Sequence, residues 1–138
     1  MPYWRLHYHL VWGTRERVPL ITPNVELVIH QTVFAKAREL GLVLHAVDGV
    51  SDHVHVVVSI PPTRCVAEIV KQVKGASSRA VHLSTSAGPE FRWQEGYGAL
   101  TIGGASLARV IEYVRLQKEH HASGTTIAVY EKAEEPGE

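Results

Sequence analysis

The segment Asp52-His53-Val54-His55-Val56-Val57-Val58-Ser59-Ile60 constrains this chain more than any other. It reads as a buried β-strand, closed by Pro61-Pro62, neither of which can donate to a strand ladder. Successive side chains of a strand point to opposite faces, so His53 and His55 project side by side from one face. Two imidazoles on a rigid strand can grip one divalent cation from one side and leave its other positions open. Taken alone, the pair reads equally well as two packed histidines whose nitrogens are satisfied by backbone or water. The chain has nine His, and His7 and His9 repeat the spacing.

The rest of the chain supplies a frame for that strand. Residues 3–13 alternate and are rich in aromatics, which predicts a first strand. Thr22-Pro23 starts a helix that runs to about Leu40 and stops at Gly41. Leu42–Val50 reads as a second strand, and Ser51-Asp52 turns it into the third, His53–Ile60. Val66, Ile69, Val70, Val73 and Ala76 form the apolar stripe of a helix over Val66–Leu83. A short strand ends near Ile102, and a last helix runs from Ser106 to His120. The order β-α-β-β-α-β matches the split βαβ of an α+β, ferredoxin-like fold: an antiparallel four-stranded sheet with both helices on one face. Its first and third strands are central, which makes the two His pairs neighbours. The final helix is extra to that unit, and Tyr113 and Gln117, four apart, share a face of it.

At 138 residues the chain is one domain, large enough for a core. A single Cys65 excludes an internal disulfide and cysteine zinc clusters. No apolar run approaches the roughly 20 residues of a membrane span, and the N-terminus lacks a signal-peptide pattern. The expected compartment is the cytoplasm. Net charge is zero, but Glu131, Glu134, Glu135 and Glu138 face only Lys132 in residues 125–138. The expectation is one domain over 1–124 and an acidic, mobile tail over 125–138. Without the tail, 13 Lys and Arg stand against 10 Asp and Glu, a body of +3. Lys71, Lys74 and Arg79 make a candidate phosphate-facing helix, although a solvated basic face is the commoner origin of such a run.

Four motifs in order carry a resemblance over residues 5–121: Tyr8-His9-Leu10-Val11-Trp12 followed by Arg15 and Arg17; Asp52-His53-Val54-His55; Phe91-Arg92-Trp93-Gln94-Glu95-Gly96-Tyr97; and Tyr113-Val114-Arg115-Leu116-Gln117-Lys118-Glu119-His120-His121. The chain resembles the single-tyrosine HUH transposases of small bacterial and archaeal insertion sequences. The resemblance implies a metal-dependent transposase that cleaves and rejoins single-stranded DNA with hairpin ends, through a covalent 5′-phosphotyrosine. It implies His53 and His55 as metal ligands, Gln117 as the third ligand and Tyr113 as the nucleophile. It further implies a homodimer with an exchanged tyrosine helix, each site taking its histidines from one chain and its tyrosine from the other.

The chemistry is consistent with those roles. A tyrosine hydroxyl with a pKa of about 10 is a poor nucleophile at neutral pH, and a cation that stabilises the developing charge offsets this. Two imidazoles with a carboxamide oxygen suit Mg²⁺ or Mn²⁺. Asp52 reads as a turn residue or a partner to a ligand, and His120-His121 as a helix end. Trp93 and Tyr97 either stack on bases or pack in the core. The competing reading is a non-catalytic module that binds single-stranded nucleic acid. A domesticated relative acting on repeats is indistinguishable in sequence from a mobile-element enzyme.

Overall fold

The computed structural model describes residues 3–86 and 88–134. The third strand, β3 (His53–Ser59), is buried along its whole length. It lies inside a four-stranded antiparallel sheet of order β2-β3-β1-β4, with β1 spanning His7–Gly13, β2 Val43–Val50 and β4 Gly98–Ile102. The expected βαββαβ order and the central place of the first and third strands are therefore observed. β1 is shorter than the alternating segment suggested, because the ladder begins only at His7.

Alternation along β3 divides its side chains between two faces. Val54, Val56 and Val58 join Leu10 and Trp12 of β1 on one face. There they pack against α1 (Pro23–Glu39) through Val25, Ile29 and Val33, and against α2 (Val66–Ser84) through Ile69, Val70 and Val73. Thr22 caps α1 by accepting a hydrogen bond from the Val25 N–H, with Pro23 in the first turn. Gly41, at φ +72°, takes the left-handed conformation that lets the chain leave the helix.

The other face carries His53, His55, Val57 and Ser59. It is covered by α3 (Leu107–Arg115), whose Val110, Tyr113 and Val114 pack on Val57, Ala46 and Ile102. That explains the extra helix: without it a sheet face bearing Val57 and the histidines would stand in water. The expected single helix from Ser106 to His120 is instead broken at Leu116 (φ −104°, ψ 25°), after which α4 runs over Gln117–Ser123. A last helical turn, α5, spans Ala128–Glu131.

Within the segment expected as an acidic tail, Ala128–Glu131 is helical and Ala133 is buried. Gly98 shows how closely this segment approaches the sheet, since a Cβ there would lie 2.0 Å from the Lys132 carbonyl oxygen. Glu135 and Glu138 lie outside the described residues. Among the described residues, no helix is long and apolar enough to cross a membrane.

Candidate active site

Each histidine of β3 is held from behind. His53 Nδ1 lies 2.7 Å from Asp52 Oδ1, and Asp52 in turn pairs with Arg17 at 3.6 Å. A carboxylate only accepts, so Nδ1 carries the proton of that bond and Nε2 is turned the other way. His55 Nδ1 lies 2.8 Å from His9 Nε2 on the neighbouring strand, the two rings stacked 5.0 Å apart. Burial, then the neighbouring His55, pushes the His9 pKa down to about 3 against the pull of Glu131, so His9 is neutral and can accept from His55. His9, which sequence reasoning left unassigned, thus orients a candidate ligand. Its signal was available: His9 shares the face parity of the β3 pair once β1 is placed beside β3. His9→Phe is expected to weaken divalent-cation binding by about 10–100-fold, the usual effect of losing a ligand's hydrogen-bond partner, measured by calorimetry.

Tyr113 reaches this pair from α3 of the same chain. Its ring stacks on His120 at 4.5 Å and meets His55 edge-on at 6.3 Å. The break at Leu116 occurs without Pro or Gly, so local sequence does not cause it. Tertiary bonds accompany it instead. Lys118 Nζ lies 2.9 Å from both Glu26 of α1 and Asp48 of β2, and 3.2 Å from the Gly49 carbonyl. These bonds anchor α4 so that Gln117 is fully buried and His121 turns toward His53, ring centres 4.8 Å apart. In the single chain described, Tyr113 thus lies against the histidines of its own sheet.

The group that unites these side chains is Glu131 of α5. Its Oε1 lies 3.1 Å from Nε2 of His53, of His55 and of His121. Its Oε2 accepts hydrogen bonds from the Tyr113 hydroxyl and, at 3.3 Å, from Gln117 Nε2. Burial alone would raise the Glu131 pKa, but hydrogen bonds from His53 and His55 outweigh it and hold the carboxyl well below the carboxylate range. Burial, with the bond to Glu131, pushes the Tyr113 hydroxyl up to about 12. Tyr113 therefore holds its proton at neutral pH.

The donor set fits a divalent cation. Ligand atoms of His53, His55, His121 and Glu131 all lie within 4.8 Å of one another. Imidazole nitrogens and a carboxylate oxygen converging this closely form a donor set of the kind that suits such a cation. The cluster differs from the expected set in including His121 and Glu131; Gln117 Oε1 sits beside it, 3.2 Å from His121 Nε2.

The basic helix is only partly free. Lys74 Nζ donates to the carbonyls of Gln94, Glu95 and Gly96, so its three donors hold that loop. Lys71 and Arg79 are exposed. Trp93 belongs to the core edge: its Nε1 donates to Ser77 at 2.9 Å and its ring meets Phe91 and Trp12. Tyr97 also packs against the core.

The family of IS200-like transposases matches residues 2–117. The ISDra2 transposase TnpA of Deinococcus radiodurans is 26% identical over 124 residues, covering 84% of this chain and 86% of the relative. A crystal structure of a transposase from Deinococcus radiodurans R1 superposes with a TM-score of 0.65 at 27% identity, covering 85% of this chain and 95% of that one. A REP-associated tyrosine transposase bound to a REP hairpin shares the fold at a TM-score of 0.64 and 14% identity, over 91% of this chain and 76% of that one. The antiparallel sheet with its packed helices is thus the frame of a transposase. The chain belongs to the IS200-like transposase family.

Proposed function

We propose that this protein cleaves and rejoins single-stranded DNA through a covalent 5′-phosphotyrosine on Tyr113. The observation that carries the reading is the convergence of the Tyr113 hydroxyl and the His53 and His55 Nε2 atoms on one carboxylate. A single negatively charged group can thereby touch nucleophile and ligands together, as a reacting phosphate must. The Tyr113 oxygen attacks phosphorus, the bond from phosphorus to the 3′ oxygen breaks, and a free 3′ hydroxyl leaves. The tyrosyl phosphodiester conserves the bond energy, so attack by another 3′ hydroxyl rejoins strands and releases the tyrosine. His53 and His55, with Gln117 or His121, would hold a Mg²⁺ or Mn²⁺ ion, which when bound would stabilise the charge that develops on the phosphoryl oxygens. His53 and His55 are kept in place for this by Asp52 and His9.

The substrate we infer is a single strand with a hairpin end. The chain carries no net charge, which is weak for duplex binding. Exposed Lys71 and Arg79 offer phosphate contacts; losing two such contacts lowers the salt slope of single-strand binding by about 1.4. That a structure of the same fold was captured on a REP hairpin fits this choice. The test presents one element end as top strand, bottom strand and duplex with Mg²⁺ or Mn²⁺, and reads covalent protein–DNA adduct. We expect adduct on one single strand and little on the duplex. Equal cleavage of the duplex contradicts the reading.

A further inference from the structure

We infer that the segment Ile127–Glu134 is an internal competitor of the DNA, with the Glu131 carboxylate standing where the reacting phosphate must stand. The inference rests on the Tyr113 reading above. A carboxylate and a phosphodiester each present two oxygens sharing one negative charge. Glu131 uses both: Oε1 is shared among three imidazole nitrogens at 3.1 Å, and Oε2 takes the Tyr113 hydroxyl and Gln117 Nε2. A phosphate placed for attack needs the same neighbours, with phosphorus next to the Tyr113 oxygen. Two anions cannot share that volume, so the segment and the DNA exclude each other.

The docking of the segment is specific. The Ile127 N–H donates to the Tyr113 oxygen at 3.0 Å, occupying the nucleophile from a second direction. Tyr130 lays its ring against Tyr113 at 5.1 Å and His9 at 5.4 Å. Docking is also light. α5 is four residues long with none of them fully buried, and only Ala133 of the segment is. It joins α4 through Gly124, at φ +71°, followed by Thr125-Thr126. A short segment held by few apolar contacts opens at low free-energy cost, which suits a group that must leave before substrate enters. It also lies beyond residues 2–117, the part of the chain that the transposase family matches. The closed arrangement lowers apparent DNA affinity by the fraction of time the site is open.

The experiment uses the full chain with Mn²⁺ and a randomised pool of single-stranded oligonucleotides. Backbone hydrogen exchange of residues 127–131 is followed with and without saturating DNA. Adduct formation is measured in parallel for the unmodified chain, Glu131→Ala and Glu131→Gln. We expect faster exchange in the segment when DNA is bound, and initial adduct rates about tenfold higher in both variants. Unchanged or slower exchange on DNA binding, or variants that react more slowly than the unmodified chain, would overturn the inference. Exchange depends on occupancy rather than on chemistry. A failure of the Tyr113 reading, seen as no adduct in any protein, is therefore separable from a failure of this one.

Discussion

Tyr113→Phe is expected to lower covalent capture of single-stranded DNA by at least about a thousandfold, the scale on which loss of a nucleophile acts. Only the hydroxyl is removed. The ring is 5% exposed and packs against His120 and Tyr130, and phenylalanine keeps those contacts. The lost hydrogen bonds to Glu131 and from Ile127 cost on the order of 1 kcal/mol each, so the melting temperature should shift by a few degrees only. DNA affinity, read by fluorescence anisotropy with the same oligonucleotide, should be unchanged or slightly improved. A Tyr113→Phe protein that still formed adduct at the unmodified rate would remove Tyr113 from the mechanism.

The second large effect is expected from His55→Ala. His55 is fully buried, and its Nε2 faces the carboxylate that also meets His53 and His121. Losing one imidazole from the set should weaken Mn²⁺ binding by at least about a hundredfold, more than the loss of a hydrogen-bond partner behind a ligand. Calorimetric titration of the two proteins without DNA checks this, and an unchanged affinity would contradict the ligand assignment. The same variant decides between sites built within a chain and sites shared by a homodimer with exchanged helices. The structure places Tyr113 against the histidines of its own chain. A mixture of His55→Ala and Tyr113→Phe proteins, with subunit exchange confirmed, should therefore recover no activity; recovery would show that the tyrosine helix is exchanged.

Which parts of this site were legible in sequence follows from the range of the forces that build each part. The face shared by His53 and His55 is a local consequence of strand pleating, and the two-residue turn at Ser51-Asp52 and the caps of α1 are equally local. The adjacency of β1 and β3 follows from topology, which brings His9 within reach of His55. The break at Leu116 has no local signal; it is tied to Lys118, whose partners Glu26 and Asp48 lie far away along the chain. Lys74 reads in sequence like Lys71, three residues before it, yet it faces three carbonyls of a loop some 20 residues on. Glu131 was hidden for a different reason. A run of glutamates after Gly124 has the composition of a solvated tail. The contrary signal was the apolar stretch Ile127-Ala128-Val129-Tyr130 directly before it, which gives that part of the tail something to bury.

The most direct test of the account is to map the covalent bond itself. The unmodified protein is incubated with labelled single-stranded element ends and Mn²⁺, denatured, digested and sequenced by mass spectrometry. The account expects the nucleotide on Tyr113 through its 5′ phosphate. A nucleotide attached instead to Tyr130, the tyrosine packed beside it, or to any other residue, would contradict it.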